Sequence, residues 1–164
     1  MSRKVEGAIA VPQAELRLVS ESPQATEELA ARLGRLLRAG DVVALTGDLG
    51  TGKTCFVRGL AAGMGVEGNI TSPTFIIMRQ HPGSPGLCHA DAYRLSCAEE
   101  LQDLGIEDVL AHSVLAVEWA EQVADALPTE RINVALSYDN GEGRLIHARA
   151  HGERLAGALQ EMAR

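Results

Sequence analysis

Cysteine is scarce in this chain, with Cys55, Cys88 and Cys97 the only three in 164 residues. Their number is odd and no two stand in Cys-x-x-Cys spacing, so neither a disulfide framework nor a zinc knuckle is supported. Buried or incidental thiols are the expectation. Long apolar runs are also missing: stretches such as Val42-Val43-Ala44-Leu45 and Val114-Leu115-Ala116-Val117 fall far short of the about 20 residues a membrane helix requires. The first seven residues are basic but lead into no sustained apolar segment, which argues against a secretory signal. The chain is expected in the cytoplasm, with no membrane partner. Positive charge is short too. Fifteen Lys and Arg against 22 Asp and Glu leave a net charge of −7, and a domain that grips nucleic acid by charge alone is basic instead. A role near tRNA or DNA is therefore expected to run through a protein partner. Lysine is nearly absent: Lys4 and Lys53 stand beside thirteen arginines.

What is present fits one globular α/β domain. The length suits a single unit of about 100–200 residues with a real core. Residues 1–13 read as a flexible leader and residues 14–164 as the domain. Residues 14–20 alternate as a strand does, and Ser22-Pro23 reads as an N-cap followed by proline at the first helical position. Leu29, Leu33, Leu36 and Leu37 then recur at helical spacing up to a stop at Gly40. Residues 41–46 form a short apolar run of the kind buried on both faces of a parallel sheet. A glycine-rich turn follows, and then a helix from Lys53 to about Met64. Strands are expected at 75–80, 87–90 and 113–117, the second returning beside the first, with a short helix at 98–104. Residues 132–138 and 144–150 flank Asp139-Asn140-Gly141-Glu142-Gly143, the turn chemistry of an antiparallel hairpin. A last helix begins near Glu153. The whole predicts a three-layer P-loop sandwich with a mostly parallel central sheet and an antiparallel C-terminal hairpin.

Gly47-Asp48-Leu49-Gly50-Thr51-Gly52-Lys53-Thr54 matches G-x-x-x-x-G-K-[ST]. Glycines permit positive φ and let backbone N–H groups approach phosphate oxygens. The following helix aims its N-terminal partial charge at the same oxygens. Lys53 supplies a compact cation, and the Thr54 hydroxyl is a hard ligand for Mg²⁺. A chain that otherwise chooses arginine places lysine here, where a point charge suits better than a planar fork.

Carboxylates at the C-terminal ends of parallel strands would complete such a site. Glu118 ends Val114-Leu115-Ala116-Val117, an apolar strand plus acid, and Asp91 follows Leu87-Cys88-His89-Ala90. Thr71-Ser72-Pro73-Thr74 lies where switch loops of nucleotide hydrolases lie. Trp119 directly follows Glu118; a lone tryptophan is ordinarily core, and this one is also placed to report occupancy. His89 reads as a packed or hydrogen-bonded histidine, and His112, His147 and His151 lack ligand spacing. No Asn-Lys-x-Asp guanine reader is present, and residues 122–128 hold no arginine for a kinase lid. A minimal ATPase acting as a switch on partners is the leading reading. A small P-loop kinase of unknown acceptor and a non-hydrolysing nucleotide-sensing module stay open.

The phosphate loop, Thr71-Ser72-Pro73-Thr74-Phe75, His89-Ala90-Asp91-Ala92-Tyr93-Arg94-Leu95, Leu104-Gly105-Ile106-Glu107-Asp108 and Val117-Glu118-Trp119-Ala120-Glu121 follow one another in this order. Together they resemble the TsaE (YjeE) family of bacterial tRNA threonylcarbamoyladenosine biosynthesis ATPases, over roughly residues 20–150. The resemblance implies an ATPase that supports t6A37 formation by engaging a TsaB–TsaD heterodimer, reaching tRNA only indirectly. It implies ATP or ADP held by Lys53 and the backbone of Gly50, Thr51, Gly52, Thr54 and Cys55, and Mg²⁺ held by Thr54 and Glu118. Asp91 would assist hydrolysis or reach the metal through water, with Lys53 and Glu118 as the other catalytic groups. Thr74 would act in the switch loop, Trp119 at the nucleotide's edge, and Ser22 and Arg144 near the base or ribose. Cys55 stands where a second threonine often follows, which is expected to make the loop sensitive to thiol reagents.

Overall fold

Alternation along two buried strands sets the layers. The computed structural model describes residues 11–73 and 77–164. Strands β2 (Val42–Thr46) and β5 (Ser113–Glu118) are buried along nearly their whole length, the mark of central strands in a parallel sheet. Val43, Leu45, Val114 and Ala116 face one core, shared with α1 (Pro23–Gly34), α2 (Lys53–Met64) and α5 (Glu153–Met162). Val42, Ala44, Leu115 and Val117 face the other. That second core is closed by α3 (Ala98–Asp103), α4 (Ile106–Leu110) and two 3₁₀ turns, Ala120–Gln122 and Ala124–Ala126.

The remaining strands are β1 (Ala14–Ser20), β3 (Met78–His81), β4 (Gly86–Asp91), β6 (Arg131–Tyr138) and β7 (Arg144–His151). They complete a seven-stranded sheet in the order β1-β7-β6-β2-β5-β4-β3. The central run β6-β2-β5-β4 is parallel, whereas β1–β7, β7–β6 and β4–β3 pair antiparallel. The predicted α/β architecture is thus observed: a parallel centre and an antiparallel hairpin toward the C-terminus. Because β2, β4 and β5 run the same way, Thr46, Asp91 and Glu118 end at one edge, and the glycine turn leaves from that edge.

Two elements differ from expectation. Helix α1 ends at Gly34 and does not run on to Gly40. Leu36 and Leu37 continue through i→i−3 bonds to Leu33 O and Gly34 O, and the Asp41 carboxylate accepts from Arg38 N at 2.7 Å. That acid offers the backbone an alternative to another helical turn. Secondly, Gly105 does more than stop α3: at φ +78° it starts the separate helix α4. Much of the expected leader, residues 1–10, and part of the strand expected at 75–80 lie outside the described residues. Gln13 N–H already donates to Ala150 O at 2.9 Å. Among the described residues no helix is long and apolar enough to cross a membrane.

Helices α1 and α2 approach unusually closely, and glycine permits it. A Cβ on Gly63 would stand 2.1 Å from Ala31 O, backbone that cannot swing aside. Gly157, on α5, has nothing within 4 Å of such a Cβ. Gly63→Ala is therefore expected to lower stability by about 1–3 kcal/mol through overpacking, despite its better helix propensity. Gly157→Ala should raise stability by about 0.5–1 kcal/mol. Thermal unfolding of both variants checks the opposite signs.

Candidate nucleotide site

The loop after β2 is built around glycine. Gly47, Gly50 and Gly52 have φ of +142°, +81° and +101°, and a Cβ on Gly47 would meet Leu136 O at 2.3 Å. Thr51, buried, closes the turn by donating its hydroxyl to Asp48 O at 2.8 Å. Gly52 then opens α2 with no side-chain cap. The first N–H groups of that helix, from Lys53, Thr54 and Cys55, have no partner inside the helix. Their partial positive charge faces the same space as the lysine.

Lys53 Nζ donates to Gly47 O at 2.5 Å and Asp48 O at 3.0 Å. It also lies 4.0 Å from the centroid of the Trp119 ring, a cation–π contact. Burial pushes the ammonium's pKa down, opposed by the charges of Glu118, Glu121, Asp91 and Asp48. Trp119 is the one non-glycine residue with positive φ (+56°) among the described residues. That turn directly after β5 swings the indole beneath Lys53, where Tyr93 meets it at a ring-centroid distance of 4.9 Å.

Across from α2, Asp91 and Glu118 are direct register partners on β4 and β5. Glu118 Oε1 accepts the Thr54 hydroxyl at 2.7 Å and lies 2.8 Å from His89 Nε2. Asp91 Oδ2 accepts from Ser72 Oγ at 3.1 Å, and its Oδ1 accepts from Tyr93 N at 2.9 Å. The Thr54 proton is thus committed to Glu118, which leaves the hydroxyl lone pairs available to a hard cation. Among the described residues no group of three or more His, Cys, Asp and Glu is gathered as a metal cluster. A cation here would depend on Thr54, Glu118 and groups from outside the chain.

One cleft of about 530 Å³ is lined by Gly50, Gly52, Lys53, Thr54, Cys55, Asp91, Glu118 and Trp119 among others. The fold thus brings together most of the residues singled out in the sequence. Thr51 is buried and absent from that lining. Ser22 is not in the lining: its hydroxyl caps α1 by accepting from Ala25 N at 3.1 Å. Thr74 lies outside the described residues. Arg144 reaches the loop's backbone, with its guanidinium 3.3 Å from Gly50 O and 4.5 Å from the Tyr138 ring centroid.

A family model described as "Threonylcarbamoyl adenosine biosynthesis protein TsaE" matches residues 20–146. The chain belongs to the TsaE family. It is 45% identical over 139 residues to a tRNA threonylcarbamoyladenosine biosynthesis protein TsaE from Streptomyces coelicolor, covering 80% of this chain and 94% of that one. The Bacillus subtilis protein of the same name is 34% identical over 152 residues, covering 92% and 95%. A crystal structure of Bacillus subtilis YdiB superposes with a TM-score of 0.79 at 29% identity, covering 91% and 94%.

In this TsaE-family chain two residues at or beside the cleft, Tyr138 and Arg58, belong to no sequence motif. Tyr138 donates to Leu49 O at 3.0 Å, so the hairpin β6–β7 braces the crest of the loop from 89 positions away in sequence. Arg58 lines the cleft while its Nε donates to Glu27 at 3.0 Å. The coupling of His89 to Glu118 did have a legible cue, since His89 stands two residues before Asp91 and a strand places such positions on one face.

The expected thiol sensitivity of the loop is corrected by the surroundings of Cys55. Its thiol is buried, donates to Pro23 O at 3.2 Å, and has its pKa raised by burial and by Glu27. The reactive thiolate is therefore disfavoured. Cys88 is buried too, with its thiol pushed up to about 12 by desolvation, while Cys97 is exposed. Alkylation of the native chain at mildly alkaline pH should label Cys97 first and leave Cys55 and Cys88 largely unmodified, as peptide mass spectrometry would report.

Proposed function

We propose that this chain binds and hydrolyses ATP in support of tRNA threonylcarbamoyladenosine formation, acting as a nucleotide-dependent switch on a TsaB–TsaD complex. The observation that carries the ATPase reading is the pairing of the glycine loop and Lys53 with Thr54, Glu118 and Asp91 across one cleft. Loop N–H groups and Lys53 hold the phosphate oxygens. Thr54 and Glu118 fit Mg²⁺, which when bound neutralises charge on the β- and γ-oxygens. Asp91, beside Glu118 and held by Ser72 and Tyr93 N, is positioned to orient an attacking water. Trp119 and Tyr93 form an aromatic wall at the edge of the nucleotide.

The relatives' names, tRNA threonylcarbamoyladenosine biosynthesis protein TsaE, support the tRNA role. The net charge of −7 fits a protein that reaches tRNA through partners. Phosphoryl transfer is mostly positioning and charge neutralisation, so a small domain can hold ATP and turn it over slowly until a partner orders the site. Basal ATPase is expected to be low and to rise by orders of magnitude with TsaB and TsaD. Phosphate release should be measured with and without them, alongside co-purification in ATP, in ADP and without nucleotide. A rate indifferent to the heterodimer would overturn the switch. A phosphorylated acceptor would point to a kinase, and absence of ADP after long incubation to a sensing module.

A further inference from the structure

His89 is fully buried on β4, yet it carries two polar ring nitrogens into the interior. Period-two alternation puts His89 and Asp91 on the α2 side of β4, and Ala116 and Glu118 on the same side of β5. Ala116 is the register partner of His89. Its single methyl leaves the ring room to lean along the diagonal toward Glu118. There Nε2 stands 2.8 Å from Glu118 Oε1, the oxygen that also accepts the Thr54 hydroxyl at 2.7 Å. Nδ1, on the far side of the ring, is buried with no partner among the described residues.

A carboxylate oxygen accepts hydrogen bonds, so Nε2 is the ring nitrogen that donates to Glu118 Oε1. A histidine kept in the interior with one nitrogen unsatisfied serves poorly as packing, where leucine would fill similar space without a polar penalty.

We propose that His89 is a positioning residue for the metal-binding carboxylate. Its Nε2–H holds Glu118 Oε1 in the orientation in which that carboxylate and Thr54 together receive Mg²⁺. The inference rests on the ATP-binding reading above. The ring touches neither nucleotide nor ion; it acts through Glu118, in the way outer-shell donors orient metal-ligating groups. Helix α2 brings Thr54 and strand β4 brings His89, so the carboxylate is gripped from two separate elements.

The test uses the full chain and two readouts besides activity. Mg²⁺ is titrated, at controlled free concentration, into protein saturated with ATP while emission of the single Trp119 is followed. His89→Leu is expected to raise the half-saturating Mg²⁺ by about 10- to 100-fold, with ATP affinity in the absence of metal unchanged. His89→Gln, whose amide nitrogen can reach the place of Nε2, should recover most of the loss. Long-range ¹H–¹⁵N spectra of the unsubstituted chain should show a hydrogen bond made from His89 Nε2. Equal effects of His89→Leu with and without Mg²⁺, no effect at all, or a His89 Nε2 that makes no hydrogen bond would overturn the positioning role while leaving ATP binding intact. Failure of the unsubstituted chain to bind ATP would overturn both readings together.

Discussion

Lys53→Ala is expected to lose most nucleotide affinity under conditions where the unsubstituted chain binds ATP readily. Lys53 is the cation at the floor of the cleft, and it is buried between the carbonyls of Gly47 and Asp48 and the face of Trp119. Truncating one partner of a desolvated charge pair costs about 2–5 kcal/mol, or roughly 30-fold to several-thousand-fold in affinity. Lys53→Arg should not rescue it. A planar guanidinium with five fixed donors cannot occupy a place shaped around one point charge. Because Nζ also ties two loop carbonyls, both variants should loosen the loop, while the two apolar cores, built from other residues, keep the domain folded. Equilibrium binding with a fluorescent ATP analogue, alongside circular dichroism, separates lost affinity from lost fold.

Glu118→Gln is expected to divide binding from turnover. The amide keeps the shape of the carboxylate, and its oxygen still accepts from Thr54 and faces His89. What it loses is the charge. Phosphate contacts from the loop and Lys53 remain, so nucleotide affinity at saturating Mg²⁺ should stay within about tenfold. Turnover depends on charge stabilisation in the transition state and should fall by about 10²- to 10³-fold, as when one preorganised electrostatic contact is removed. Asp91→Asn should show the same split, because its contacts to Ser72 and Tyr93 N place the group without holding phosphate. Single-turnover hydrolysis set beside direct binding measures both quantities. Equal loss of binding in Lys53, Glu118 and Asp91 variants would undo this division of roles.

Much of this was legible in the chain because local and global preferences agree. The apolar run at 41–46 can be buried on both faces only in a parallel sheet, and the glycine turn after it needs positive φ where it occurs. Asp91 and Glu118 each follow a buried run, so their meeting at one edge follows once β4 and β5 are adjacent and parallel. The end of α1 was not legible, since leucine spacing continues past Gly34 and only the Asp41 side chain bonding to Arg38 N reveals the competition. Ser22 was legible as the α1 N-cap, and its hydroxyl accepts from Ala25 N as such a cap does. The bracing of Leu49 by Tyr138 and of Gly50 by Arg144 depends on how the hairpin lies over the loop. No periodicity in either segment encodes that placement.

In the proposed function the glycine loop grips a triphosphate while acids at the strand tips hold the ion opposite. Isothermal titration calorimetry of the folded full chain with ATP and with ADP, each with and without Mg²⁺, tests this most directly. The expected result is saturable one-to-one binding of both nucleotides, with Mg²⁺ tightening the triphosphate complex. An intact domain that gives no saturable heat with either nucleotide would contradict it.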